Sequence, residues 1–329
     1  MTDFPAAQHV SVGDVTLAVY QAGPDPRSTD KPAVLLIHGF PELAYSWRYV
    51  MAALAGAGYP VIAPDMRGYG RSDVPEDTAA YSMTHLTSDV AAIADAMGLE
   101  RCYAVGHDWG ALVLWNLPFY QPGRFLGFAG LNVAHTARPP IDPISLFRAR
   151  LGESMYIVQF QKPGCEARLE QDVEYAMRFF MRKPGGRTKP VERVKGEPSK
   201  AQELDLFAML EAGPEHWGGK PLLDDSDYGI YTQAFEKTGF RGALNWYRNM
   251  ATNWADQARF LVDGKLPVIK EPVLIITADM DQACPAWMAD GMGDLCSNLS
   301  RVDLKGCGHW SAQEKPAEVS KALLDWLAG

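Results

Sequence analysis

The sequence lacks any cysteine pairing pattern. Its five cysteines, Cys102, Cys165, Cys284, Cys296 and Cys307, are odd in number, scattered and without a C-x-x-C pair. Free thiols in a reducing cytoplasm are therefore the simpler expectation. Positive charge is also in short supply. The 31 Lys and Arg against 40 Asp and Glu leave a net charge of −9, which argues against nucleic acid or an acidic membrane surface as partner. No apolar run approaches the ~18 residues needed to span a bilayer. The opening M-T-D-F-P-A-A-Q-H-V has neither the basic start nor the apolar stretch of a signal peptide. A cytoplasmic protein with no membrane partner is expected. Internal repeats, a phosphate-binding loop and a ligand cluster are all missing, so no metal or organic cofactor is expected.

What is present is an ordinary globular composition, 47% hydrophobic and 22% charged over 329 residues. That length suits one large domain or a core with an insert. H-V-S-V-G-D-V-T-L-A-V-Y alternates around Gly13-Asp14 and predicts a β-hairpin. Four short, nearly all-apolar runs follow, at 32–39, 59–65, 101–108 and 125–132. They read as strands buried on both faces of a parallel sheet. Helical patterns separate them, and two more strand-like runs stand at 271–278 and 299–304, before a closing helix, K-A-L-L-D-W-L. Strand and helix in alternation predict an α/β fold with a mostly parallel eight-stranded sheet flanked by helices.

From about residue 137 the rhythm changes. A proline-rich exit leads into helical periodicity with no strand-like run, including C-E-A-R-L-E-Q-D-V-E-Y-A-M-R-F-F-M and Y-G-I-Y-T-Q-A-F-E-K-T. The expected organisation is a core from 1–136, an inserted helical cap over 137–250, and a second core part over 251–329. The basic stretch 181–200 is rich in Lys, Arg, Pro and Gly, but acids interrupt it and it has no aromatic residue. It reads as a solvated loop rather than a nucleic-acid patch.

Open α/β sheets bind ligands beyond the carboxyl ends of their strands. Four candidates sit at such ends: the His38-Gly39-Phe40-Pro41 turn, Asp108, Asp281 and His309. Asp108 stands at the centre of V-G-H-D-W-G-A-L-V, bracketed by Gly106 and Gly110 as a sharp strand-to-helix turn requires. An N-capping Asp would need no such flanks. Acid, acid, then His in chain order matches the nucleophile, acid and base of a hydrolytic triad, with Asp279 competing with Asp281 for the middle role. His107 is expected to point into the packing and His38 to bond backbone within its own turn. His9, His85, His135 and His216 have no supporting context.

A carboxylate nucleophile implies substitution at an sp³ carbon. It forms an ester whose carbonyl belongs to the enzyme, and water activated by His309 then attacks that carbonyl. A serine there would leave an ether that water could not cleave. The backbone N–H groups of Phe40 and Trp109 are the expected oxyanion donors. A halide leaves readily, whereas an epoxide oxygen leaves as an alkoxide and needs an acid, for which a phenol of pKa about 10 is suited. The insert offers Tyr156, Tyr175, Tyr228, Tyr231 and Tyr247, and composition alone does not choose among them.

Seven motifs occur in order: H-G-F-P-E, D-M-R-G-Y-G-R-S-D, G-H-D-W-G-A, F-Q-K-P-G, N-W-Y-R-N, T-A-D-M-D and G-C-G-H-W. Together they resemble the epoxide hydrolases of the α/β-hydrolase fold, particularly the hydrolase domain of the soluble type, over essentially the whole chain. The resemblance implies Asp108 as nucleophile, His309 as base and Asp281, fifth in T-A-x-x-D, as the residue orienting it. It implies Tyr156 and Tyr247 as ring-opening acids, a pocket lined by Phe40, Trp109 and Trp310, and a cis bond between Phe40 and Pro41. The partner it implies is a small hydrophobic epoxide, in keeping with Trp217, Trp246 and Phe160 in the insert, though these read equally well as core. Whether the protein forms a homodimer is left open. The soluble mammalian enzymes carry an additional N-terminal phosphatase domain, for which this chain has no room.

The nearest rival is a haloalkane dehalogenase on the same scaffold. Trp109 after the nucleophile suits a halide cradle, but Phe40 stands where such enzymes often place Asn, and the two tyrosines would be idle. A fluoroacetate-type dehalogenase would place Arg where Trp109 stands. A non-catalytic signal-binding protein would be favoured by a missing triad member, and none is missing.

Overall fold

The computed structural model describes residues 4–185, 189–190 and 204–329. The alternating segment at the start folds as β1 (Gln8–Val12) and β2 (Val15–Ala22), an antiparallel pair closed at Val12 opposite Val15. Gly13 makes the tight turn with φ +59°, a conformation that costs glycine little. The four apolar runs become β3 (Ala33–Ile37), β4 (Val61–Pro64), β5 (Cys102–His107) and β6 (Phe125–Leu131). They form one eight-stranded sheet with two later strands, Val273–Ala278 and Leu299–Leu304. Reading across the sheet, the order is β1, β2, β4, β3, β5, β6, then those two. β2 runs antiparallel to both its neighbours, and every other pairing is parallel.

Alternation along each buried strand feeds two cores. Leu35 and Ile37 face helix α2 (Met83–Ala96), with Leu86, Val90 and Ile93, and helix α3 (Trp109–Tyr120), with Val113 and Leu114. Val34 and Leu36 face the other way, toward helix α1 (Arg48–Gly56) and the closing helix Pro316–Leu327. All of these apolar side chains are essentially inaccessible to water. Burying each contributes about 1.5–3 kcal/mol, and together they hold the strand ends in fixed register.

The D-M-R-G-Y-G-R-S-D motif is spent on this framework. Arg67 forms a two-point pair with buried Asp89 at 2.6 Å for each bond. Asp65 accepts from the Ala44 N–H and the Tyr20 hydroxyl.

Between β6 and the strand Val273–Ala278 the described chain adds no strand to the main sheet. It is helical at Pro143–Leu151, Tyr156–Gln159, Ala167–Glu170, Val173–Phe180, Leu206–Glu211, Asp225–Thr238, Arg241–Arg248 and Met250–Asp256. Two details differ from the sequence expectation. The stretch 165–181 is two helices, because the Asp172 carboxylate accepts the Tyr175 N–H at 2.9 Å and starts the second one. The insert also contains a small antiparallel pair, Arg182–Lys183 with Lys220–Pro221, too short for any periodicity to reveal. Most of the basic stretch 181–200 lies outside the described residues.

Candidate active site

β5 ends at His107, and α3 begins at Trp109, so Asp108 must reverse the chain in one residue. It does so at φ 51°, ψ −120°, which an L-residue adopts only when its surroundings enforce it. The enforcement is steric and involves the flanking glycines. A Cβ on Gly106 would lie 2.3 Å from the Gly110 oxygen, and one on Gly110 would lie 2.1 Å from the Ile37 oxygen. Asp108 makes no side-chain cap to its helix. Its Oδ1 instead accepts the Phe40 N–H at 2.8 Å. Trp109, first residue of α3, has an N–H with no intrahelical acceptor available to it. The Phe40–Pro41 bond is cis.

His309 lies between two carboxylates. Its Nδ1 is 2.8 Å from Asp281 Oδ2, and its Nε2 is 3.5 Å from Asp108 Oδ2. Burial works against the imidazolium, but the negative charge of Asp281 and then Asp108 outweighs it and holds the pKa of His309 well above the ordinary value. Asp281 is completely buried. Its Oδ1 accepts the Ala283 and Cys284 N–H groups, both at 2.9 Å, and its Oδ2 also accepts from Asn132 Nδ2 at 2.8 Å. Burial alone would raise this carboxyl; the facing His309 charge and these donors bring it down to about 2. Asp279 makes no such contact: among the described residues its carboxylate accepts the Cys307 N–H, at 3.4 Å, and nothing from the His309 side chain.

Four residues that hold this arrangement carry no recognisable spacing in the sequence. Asn132, in a left-handed conformation (φ 65°) just after β6, bridges Asp281, the Gly308 carbonyl and the Ser311 hydroxyl. Glu314 accepts the N–H groups on either side of His309, from Gly308 at 2.8 Å and Trp310 at 3.0 Å. His107 does point away from the pocket, as expected, yet it is not mere packing. Its Nε2 meets the His309 carbonyl at 2.8 Å, and its Nδ1 meets the buried Glu42 carboxylate at 2.6 Å. Although burial opposes both charges, each stabilises the other, raising the pKa of His107 and lowering Glu42 to about 2. Two of the four stand in sequence motifs, Glu42 in H-G-F-P-E and His107 in G-H-D-W-G-A, but neither motif shows that they pair. His38 bonds the Gly39 carbonyl and the Met66 N–H, within its turn and to the neighbouring strand end.

A cavity of about 270 Å³ opens on Asp108 and His309. Its walls are mostly apolar, with Phe40, Phe179, Phe180, Trp217 and Trp310 among them. Of the five tyrosines in the insert, two line it: Tyr156 and Tyr247, their rings 6.1 Å apart. The others are committed elsewhere, Tyr175 to the Leu210 carbonyl, Tyr228 to the Met181 carbonyl and Tyr231 to Ser46. Desolvation, followed by the charge of Asp108 for Tyr247, raises both cavity phenols well above their ordinary pKa. Trp109, expected as a pocket wall, is not among the lining residues. Its indole packs edge-on against Tyr247 at 4.9 Å and Trp246 at 5.9 Å. Trp246 and Phe160 are likewise core, fully buried.

Residues 32–165 match the family model for the alpha/beta hydrolase fold. The chain is 40% identical over 328 residues to epoxide hydrolase A of Mycobacterium tuberculosis, covering 99% of this chain and 98% of that protein. To the bifunctional epoxide hydrolase 2 of Sus scrofa it is 36% identical, spanning 90% of this chain and 51% of that longer protein. Among solved structures it resembles epoxide hydrolase A from Mycobacterium thermoresistibile, with TM-score 0.82, 36% identity and coverage of 99% and 98% of the two chains. No described helix is long and apolar enough to cross a membrane.

Proposed function

The chain belongs to the epoxide hydrolases of the α/β-hydrolase fold, and from that premise we propose that it converts a hydrophobic epoxide and water to a vicinal diol through an ester on Asp108. The observation that carries this reading is the pair Tyr156 and Tyr247 lining one cavity with Asp108 and His309. Segment 137–250 acts as a cap that supplies the acids, and the sheet supplies the nucleophile and base.

In the first step Asp108 attacks a ring carbon. Oδ1 is held by the Phe40 N–H, which leaves Oδ2 to form the bond. The breaking C–O bond places its electron pair on the ring oxygen. An alkoxide is about as basic as hydroxide, whose conjugate acid has pKa ~15.7, so it takes a proton even from phenols of raised pKa. Their burial keeps both protonated until that moment. Replacing either with Phe should slow ring opening about tenfold, and the double change Tyr156→Phe/Tyr247→Phe on the order of 10³-fold, the range of a general acid. Pre-steady-state ester formation measures this; unchanged rates in the double variant would rule out the acid role.

The second step depends on a change of charge. While Asp108 is a carboxylate, it helps hold His309 as an imidazolium. Alkylation makes Asp108 neutral, removes that support and lowers the pKa of His309, so the imidazole becomes a base when a base is required. Nε2 then takes a proton from water, which attacks the ester carbonyl. The Phe40 and Trp109 N–H groups stabilise the oxyanion, loss of one such donor typically costing about 2.7–4 kcal/mol. Its collapse breaks the acyl C–O bond, the diol oxygen leaves with the proton held by His309, and the freed Asp108 acid returns its proton to the tyrosinate. Asp281 fixes the tautomer of His309 throughout.

The decisive assay offers an aryl epoxide and a brominated alkane side by side and scores diol and bromide separately. Diol without bromide is expected. Bromide without diol would favour the dehalogenase reading, against which the packing of Trp109 away from the cavity already counts.

A further inference from the structure

Cys284 enters none of these steps, yet it lies beside them. Its backbone N–H holds Asp281 Oδ1, while its thiol remains unused by the triad. Asp281, Cys284 and His309 each offer one ligand atom, and these atoms lie within 4.8 Å of one another. We infer that this trio is a binding site for a thiophilic divalent cation, Zn²⁺ or Cd²⁺, whose capture of His309 shuts the enzyme off.

The donor set decides the class of ion. Sulfur, imidazole and one carboxylate suit zinc and its softer relatives, whereas Mg²⁺ and Ca²⁺ prefer oxygen alone. Bonds of ~2.0–2.3 Å in a tetrahedron put the ligand atoms roughly 3.5 Å apart. The three ligand atoms already lie within 4.8 Å of one another, so reaching that spacing needs shifts of only about 1 Å, with the ion taking the place of the 2.8 Å Asp281–His309 hydrogen bond where Nδ1 is the ligand atom. Asp281 need not move, because Asn132 and two backbone N–H groups already hold it. Entry is through the cavity, which both Asp281 and His309 line. Water completes the fourth position.

Binding involves no redox change. The thiol gives its proton to solvent, as does the imidazolium, and each donates one electron pair to the ion. An imidazole has a single basic lone pair, and once the metal holds it, His309 can no longer accept a proton from water. Turnover stops although the nucleophile is untouched. The effect on turnover rests on the epoxide hydrolase reading; the site itself does not.

The test adds Cd²⁺ to the whole protein and follows both the ultraviolet Cd–thiolate absorbance and epoxide turnover. One equivalent should produce the band and at least a tenfold loss of turnover, both reversed by EDTA, with Mg²⁺ inert. Cys284→Ser, measured against its own metal-free turnover, should lose both responses; Cys284→Ala serves the same purpose if the first folds poorly. An equal band or equal inhibition in folded Cys284 variants overturns the site. A band without inhibition overturns the capture of His309. Absence of turnover before any metal is added counts against the proposed function and leaves the absorbance to decide the site.

Discussion

An Asp108→Ala variant is expected to lose diol formation by ~10⁴-fold or more, because every later step needs the ester that only this carboxylate can form. No neighbouring carboxylate can replace it. Asp281 is completely buried and accepts four hydrogen bonds, including the one from His309. The substitution should leave the fold intact. Alanine adds no atom at the strained turn; the carboxylate's acceptance of the Phe40 N–H is lost, about 1–3 kcal/mol, together with its looser pairing with His309 at 3.5 Å. Diol yield by chromatography, alongside thermal unfolding of both proteins, separates chemistry from stability. A folded Asp108→Ala protein that still turned over near the wild-type rate would sink the ester mechanism.

The second large effect is expected from His309→Gln, and it should be opposite in kind: the ester forms and stays. Asp108 keeps its Phe40 donor, and Tyr156 and Tyr247 still line the cavity, so ring opening proceeds. Hydrolysis does not, because among the described residues His309 is the imidazole paired with the Asp108 carboxylate, and glutamine is no base. Intact mass spectrometry should show one adduct per chain, heavier by the full mass of the epoxide, since ring opening expels nothing. A brominated alkane reacting by the rival route would instead add its mass less hydrogen bromide. Steady-state turnover with no accumulated adduct would show that His309 is not the base for the second step.

The legible part of this protein is the part written in local pattern. The runs at 32–39, 101–108 and 125–132 are apolar at the strand residues that the sheet buries, His107 excepted, so they announced β3, β5 and β6 within a residue or two. The elbow was legible for a similar reason: Gly106 and Gly110 stand where any Cβ would collide with backbone, a demand that leaves its trace within five residues of sequence. Asn132 and Glu314 left none, and Glu42 and His107, although they stand in H-G-F-P-E and G-H-D-W-G-A, carried no sign that they pair with each other. Asn132 and the Glu42–His107 pair act on residues brought near by the sheet, as Asn132 does on Asp281, 149 positions away, while Glu314 acts within its own loop, and a single polar residue has no period to detect.

By itself the sequence determined the class of fold and the carboxylate at the elbow, and with it the expectation of attack at an alkyl carbon rather than an acyl one. These follow from hydrophobic alternation, glycine sterics and the chemistry of one side chain, all of which act over short stretches of chain. The resemblance pointed to Tyr156 and Tyr247, but only tertiary structure showed that these two of the five tyrosines line one cavity with Asp108, that Trp109 packs against Trp246 and Tyr247 instead of lining it, and that Cys284 stands near His309 and Asp281. Those outcomes depend on where the segment after β6 folds back over the strand ends. Side-chain proximity across such a fold is set by the packing of distant elements, and no local pattern encodes it.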